Sequence, residues 1–137
     1  MPPTSVLVID HPQDFLNTIV KMLEKDFTIV GALTDGAIGL AFALALNPDI
    51  LILDISSPDI NGVEVAKRLA AAQCRAKIIF LSHEESPRIV SATLDSGASG
   101  YVFKSRIIPD LITAIAVALK DAVFLPTPTI PRSKTAA

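Results

Sequence analysis

One feature constrains this chain more than any other: short apolar runs alternate with longer stretches that carry apolar residues at helical spacing. Ser5 to Ile9, Phe27 to Leu33, Ile50 to Leu53, Lys77 to Leu81 and Tyr101 to Phe103 read as strands. Between and after them, Pro12 to Lys25, Ala37 to Leu46, Gly62 to Ala72, Ser86 to Ser96 and Pro109 to Asp121 read as helices. Strands alternating with helices build a parallel sheet covered on both faces. The strand segments are apolar almost throughout, as burial on both sides requires. The pattern predicts an α/β, doubly wound sheet of five parallel strands with five helices.

Local signals fit that reading. Asp10 or His11 is placed to cap the first helix, Pro12 suits its first turn, and Ser86 with Pro87 suits the start of the fourth. Asn47-Pro48 stops the second helix, and Gly97 to Gly100 is a break. The alanine-rich stretches Ala41 to Leu46 and Ile115 to Leu119 read as packing faces, the latter also as a candidate dimer surface. Residues 1–125 form one domain, and the Pro/Thr-rich 126–137 reads as a linker or loose tail.

Composition narrows the function classes. The chain has 137 residues, half of them hydrophobic and 19% charged, which excludes an intrinsically disordered chain. A net charge of −2 and the absence of Trp argue against direct nucleic-acid binding by this domain. The single Cys74 excludes an intramolecular disulfide framework and a Cys-only zinc site. The longest apolar run, Ala37 to Leu46, is too short to cross a bilayer, and the N-terminal residues lack the pattern of a signal peptide. A cytoplasmic location is expected.

Ligands of open parallel sheets bind beyond the carboxyl ends of the strands. At those ends stand Asp10 with His11, Asp54, Ser82 with His83, and Lys104. Two carboxylates held close repel unless a positive charge lies between them. Mg²⁺ fits, because it takes carboxylate and phosphate oxygens together. Lysine adds a point charge for a phosphoryl group, a hydroxyl can donate to its oxygens, and an aspartate can act as nucleophile.

Three motifs then carry a resemblance. Leu53 to Gly62 is similar to the D-x-x-x-P-x-x-x-G element of response-regulator receiver domains, the aspartate-phosphorylated half of two-component signalling. Leu81-Ser82 resembles their fourth-strand Thr/Ser site, and Gly97 to Lys104 resembles their G-A-x-G-Y-x-x-K element. The resemblance implies the flavodoxin-like form of the doubly wound sheet, with strand order 2-1-3-4-5. It implies Asp54 as phosphoacceptor, with Ser82 and Lys104 binding the phosphoryl group and Tyr101 as an aromatic switch that turns inward. It implies Mg²⁺ held by Asp10, Asp54 and the backbone carbonyl of Ser56. It implies a histidine kinase as phosphodonor, a possible homodimer, and no enzymatic turnover beyond self-phosphorylation and slow dephosphorylation. Asp121 to Pro126 resembles the end of receivers that precede a LuxR-type DNA-binding domain, so DNA would be reached only through such a domain.

Three positions depart from the family pattern, one of them Ser57, where the family often has Met. His11 stands where receivers carry a second acid, and His83 where they carry a small residue. Imidazole suits zinc, nickel or copper better than Mg²⁺, and Asp14, one helical turn on, is an alternative source of a carboxylate. His11 and His83 therefore define an atypical pocket and an alternative function, a phosphorylation-independent interaction module. An enzyme of the haloacid dehalogenase type would need an Asp at position 56, where Ser56 stands.

Overall fold

The computed structural model describes residues 3–55 and 61–126. Five strands, β1 (Ser5–Ile9), β2 (Thr28–Leu33), β3 (Ile50–Asp54), β4 (Lys77–Ser82) and β5 (Gly100–Phe103), form one parallel sheet in the order β2-β1-β3-β4-β5. Five helices alternate with them: α1 (Gln13–Leu23), α2 (Gly36–Leu46), α3 (Gly62–Ala71), α4 (Pro87–Leu94) and α5 (Ile107–Leu119). The expected fold and strand order are those observed.

The central strands explain the arrangement. Every residue of β3 is buried, and so is every residue of β4 after Lys77. Their alternate side chains point to opposite faces. Val6, Val8, Ile50, Ile52 and Ile79 pack against α1 and α5, while Leu7, Ile9, Leu51, Leu53 and Phe80 pack toward α2, α3 and α4. Burying a side chain of this size gains about 1.5–3 kcal/mol. Two such cores, one per face, give the sheet its covered parallel form.

Helix ends follow local chemistry. The Asp35 side chain accepts from Ile38 N–H at 3.0 Å, and the Asn61 side chain accepts from Glu64 N–H at 3.1 Å, each satisfying an orphan donor of a first turn. Asn47 and Gly97 take left-handed backbone, with φ of 48° and 105°, and end α2 and the segment after α4.

Several expectations need correction. Neither Asp10 nor His11 caps α1, whose N-cap is Pro12 without a side-chain hydrogen bond. Ser86 is the N-cap of α4 but makes no capping bond, and Pro87 opens that helix as expected. The last helix starts at Ile107, not Pro109, because proline is tolerated anywhere in a first turn, where no N–H is needed. A 3₁₀ turn, Lys104–Arg106, links β5 to it. The stretch Ala41 to Leu46 is exposed except for Ala43. Phe124 extends the sheet edge: its N–H donates to Ser99 O at 2.9 Å, and its carbonyl accepts from Tyr101 N–H at 3.3 Å. Of the expected tail, 126–137, all but Pro126 lies outside the described residues. So do Ser56 and the following residues through 60.

Candidate functional site

Strand register alone brings two carboxylates together. Val6 to Ile9 of β1 run beside Ile50 to Leu53 of β3 in unbroken register. The next residues are Asp10 and Asp54, neighbours on strands about 4.8 Å apart. On the other side Asp54 pairs with Leu81, so Ser82 closes β4 one step beyond it. Ser82 in turn pairs with Phe103, and Lys104 is the first residue after β5.

Lys104 reaches back across β4 to the carboxylates. Its Nζ donates to Asp10 Oδ1 at 3.1 Å and to Asp54 Oδ2 at 2.9 Å. All three side chains are sealed from solvent, at 2% exposure for Lys104 and none for either aspartate. Below the ammonium lies the Phe15 ring, with its centroid 4.6 Å away, a cation–π contact at the dry end of its range. One lysine thus neutralises one of two buried negative charges. The excess has an electrostatic consequence. Burial, then the neighbouring Asp54, pushes the Asp10 carboxyl up to about 7, against the opposing pull of Lys104.

A second, neutral cluster lies beside this one. Tyr101 is fully buried, and its hydroxyl donates to the Glu84 carbonyl at 2.9 Å. Glu84 N–H donates to the Ser82 hydroxyl at 3.0 Å. The β4–α4 turn therefore ties Ser82 to Tyr101. Burial raises the Tyr101 hydroxyl above its ordinary value, while the nearby Ser82 hydroxyl opposes that rise. The Tyr101 ring is turned inward in this structure and stacks edge-on against Phe103, centroids 5.8 Å apart.

The residues singled out from the sequence thus divide. Asp10, Asp54 and Lys104 form one buried cluster, and Ser82 and Tyr101 form its neighbour. His11 and His83 are both exposed, and the described residues contain no group of three or more His, Cys, Asp or Glu placed to hold a metal ion. Asp14 is exposed on the first turn of α1. The backbone carbonyl of Ser56 lies outside the described residues. Two contributions were missed in the sequence: Phe15, which reads there only as part of an apolar helix face, and the Glu84 backbone, which carries no side-chain signal.

A parallel α/β sheet with paired aspartates and a lysine buried at its carboxyl edge is an arrangement suited to a cation and a phosphoryl group. The chain belongs to the response regulator receiver domain family, whose model matches residues 6–116. The nitrate/nitrite response regulator NarL of Escherichia coli is 33% identical over 127 residues, covering 90% of this chain and 58% of that protein. The transcriptional regulatory protein DegU of Brevibacillus brevis is 30% identical over 122 residues, covering 88% and 52%. Among solved structures, the isolated receiver domain of RcsB from Salmonella enterica serovar Typhimurium superposes with a TM-score of 0.80 at 30% identity, covering 90% of this chain and 92% of that one. The chain spans just over half the length of the curated relatives it matches. It is a receiver domain similar to those of response regulators and transcriptional regulators. The comparisons lend no support to a phosphorylation-independent module. No helix among the described residues is long and apolar enough to cross a membrane.

Receivers generally accept phosphoryl groups with Mg²⁺ bound. The residues present here fit that ion. Asp10 Oδ2 is buried and makes no hydrogen bond, so a cation that favoured the ionised carboxylate would find an oxygen there without a partner. Mg²⁺ keeps several waters and needs only one or two carboxylates. Asp10 and Asp54 would supply two.

Proposed function

We propose that Asp54 accepts a phosphoryl group from the phosphohistidine of a histidine kinase, and that this controls a DNA-binding output in a longer protein. The observation that carries the reading is the buried Asp10–Asp54–Lys104 cluster at the carboxyl edge of the sheet. An Asp54 carboxylate oxygen attacks the phosphorus, the P–N bond to histidine breaks, and an acyl phosphate forms on Asp54. Lys104 donates to a phosphoryl oxygen, and the Ser82 hydroxyl turns from Glu84 N–H to donate to another. Asp10 and Asp54, with the Ser56 carbonyl that the family resemblance implies, would hold Mg²⁺, which would supply positive charge to offset that of the transferring group.

Magnitudes show why a cation matters. Inverting a 1:99 population requires about 5.5 kcal/mol of preference for the active state. One lysine contact and one hydroxyl contact supply roughly 1.5–3 and 1 kcal/mol. Their sum falls short, and a cation held by the two carboxylates would supply part of the remainder.

The chain has one tyrosine and no tryptophan, so its ultraviolet fluorescence reports on Tyr101 alone. Beryllofluoride, a phosphoryl mimic, added with Mg²⁺ is expected to change that emission in the wild type and leave Asp54→Asn unchanged. An equal response in both proteins would refute the assignment of Asp54.

A further inference from the structure

Two short segments at the carboxyl edge carry the side chains expected to meet a phosphoryl group. The β4–α4 loop, residues 83–86, follows Ser82, and a 3₁₀ turn, Lys104–Arg106, opens with Lys104. Each segment has ties of its own. In the loop, Glu84 N–H donates to the Ser82 hydroxyl at 3.0 Å, and Ser86 N–H donates to Glu84 Oε1 at 2.9 Å, two local turn bonds. In the turn, the Lys104 ammonium is committed to Asp10 and Asp54 by charge. One further bond is neither local nor buried. The Ser105 hydroxyl donates to Glu85 Oε2 at 3.1 Å, across 20 residues of chain. It joins the loop that holds Ser82 to the turn that holds Lys104.

The placement of this bond matters more than its strength. Ser105 is exposed, so the bond competes with water and holds little of the fold together. Yet its two partners sit on the two segments that must rearrange. Ser82 has to leave Glu84 N–H, and Lys104 has to give up a carboxylate, before either donates to a phosphoryl oxygen. While the segments are joined, neither side chain adjusts without the other. Tyr101 holds the same loop from within, through the Glu84 carbonyl at 2.9 Å, and Ser105 holds it from the solvent side. Resting on the reading of Asp54 as phosphoacceptor, we propose that Glu85 and Ser105 are positioning residues. Their hydrogen bond clasps the β4–α4 loop to the Lys104 turn, keeps Ser82 and Lys104 in their resting contacts, and opposes their move to a phosphoryl group.

Beryllofluoride titrations of the whole chain in saturating Mg²⁺, followed by Tyr101 emission, test this. Ser105→Ala removes the donor and is expected to lower the midpoint concentration by about two- to tenfold, the range set by one solvent-exposed hydrogen bond. Glu85→Ala is expected to act in the same direction. The double variant is expected to gain no more than either single one, because both break the same bond. Ser105→Thr keeps the hydroxyl and is expected to stay at the wild-type midpoint. A damaged fold weakens a response and does not tighten it. The thermal midpoint identifies any variant that has lost its fold, and the partner variant then decides. Midpoints unchanged or raised in Ser105→Ala and Glu85→Ala, or gains that add in the double variant, would overturn the clasp and leave the assignment of Asp54 standing. A wild type that gives no Asp54-dependent response would overturn that assignment, and the clasp with it.

Discussion

The two ends of the sheet hold the same kinds of residue in opposite circumstances. At the carboxyl edge, Lys104, Asp10 and Asp54 are sealed from water. At the amino edge, Arg75 pairs with Asp49 at 3.3 Å and Lys77 with Asp121, with side chains 33–79% exposed. Both ends carry lysine–aspartate pairs of good geometry, yet only one holds unbalanced charge. Exposed pairs are screened by water and contribute about 0–1 kcal/mol. Buried charge costs several kcal/mol per ion, and two aspartates against one lysine leave part of that cost uncompensated. A strained, negatively charged pocket is poor material for holding a fold together. It is good material for receiving a cation and a phosphoryl group.

Breaking the buried end gives the largest expected effect. Lys104→Met leaves two facing carboxylates without a counter-charge and is expected to lower stability by about 3–5 kcal/mol in urea unfolding near neutral pH. Loss of less than about 1 kcal/mol would place this cluster with the exposed pairs.

Next comes pH. The folded-state value of Asp10, about 7, lies above the ordinary 3.8. Between those values the folded state binds a proton that the unfolded state has released, so stability falls as pH rises through this window. The slope approaches about 1.4 kcal/mol per pH unit and flattens above the folded value. The wild type minus Asp10→Asn difference in unfolding free energy isolates this contribution. Saturating Mg²⁺ is expected to flatten it, because the cation favours the ionised carboxylate.

A smaller effect separates the causes of that shift. Burial is the leading cause and Asp54 the second, so Asp54→Asn should lower the Asp10 value while leaving it above the ordinary carboxylate range. Carbon-detected NMR titration of the Asp10 side chain reads this directly.

The amino edge gives the smallest effects. Arg75→Ala is expected to cost less than about 1 kcal/mol. The Lys77 ammonium holds the Asp121 carboxyl below its ordinary value, yet Asp121→Asn should leave the unfolding midpoint unchanged within error.

The fold was legible because hydrophobic period distinguishes buried parallel strands from one-sided helices. The elements depart from their expected bounds by two residues or fewer at every end. Asp10, Asp54, Ser82 and Lys104 were legible as strand-end residues because parallel register brings such residues to one edge. Contacts made by reach were not: nothing in the spacing shows that Lys104 crosses β4 to touch both aspartates, or that Phe15 lies beneath it. The hydrogen bond from Tyr101 to the Glu84 carbonyl was hidden because a backbone acceptor has no sequence signature. The outward side of α2 was misread for another reason. A helix apolar all round has no preferred face, and only the tight approach of Gly39 to β1 decides which residues point to water.

The account stands most directly on Asp54 as a Mg²⁺-dependent phosphoacceptor despite His11. Intact mass after incubation with acetyl phosphate, with and without Mg²⁺, tests it alongside Asp54→Ala. The account predicts a gain of one phosphoryl group in the wild type with Mg²⁺, little without it, and none in Asp54→Ala. No gain in any condition, or an equal gain in Asp54→Ala, would contradict it.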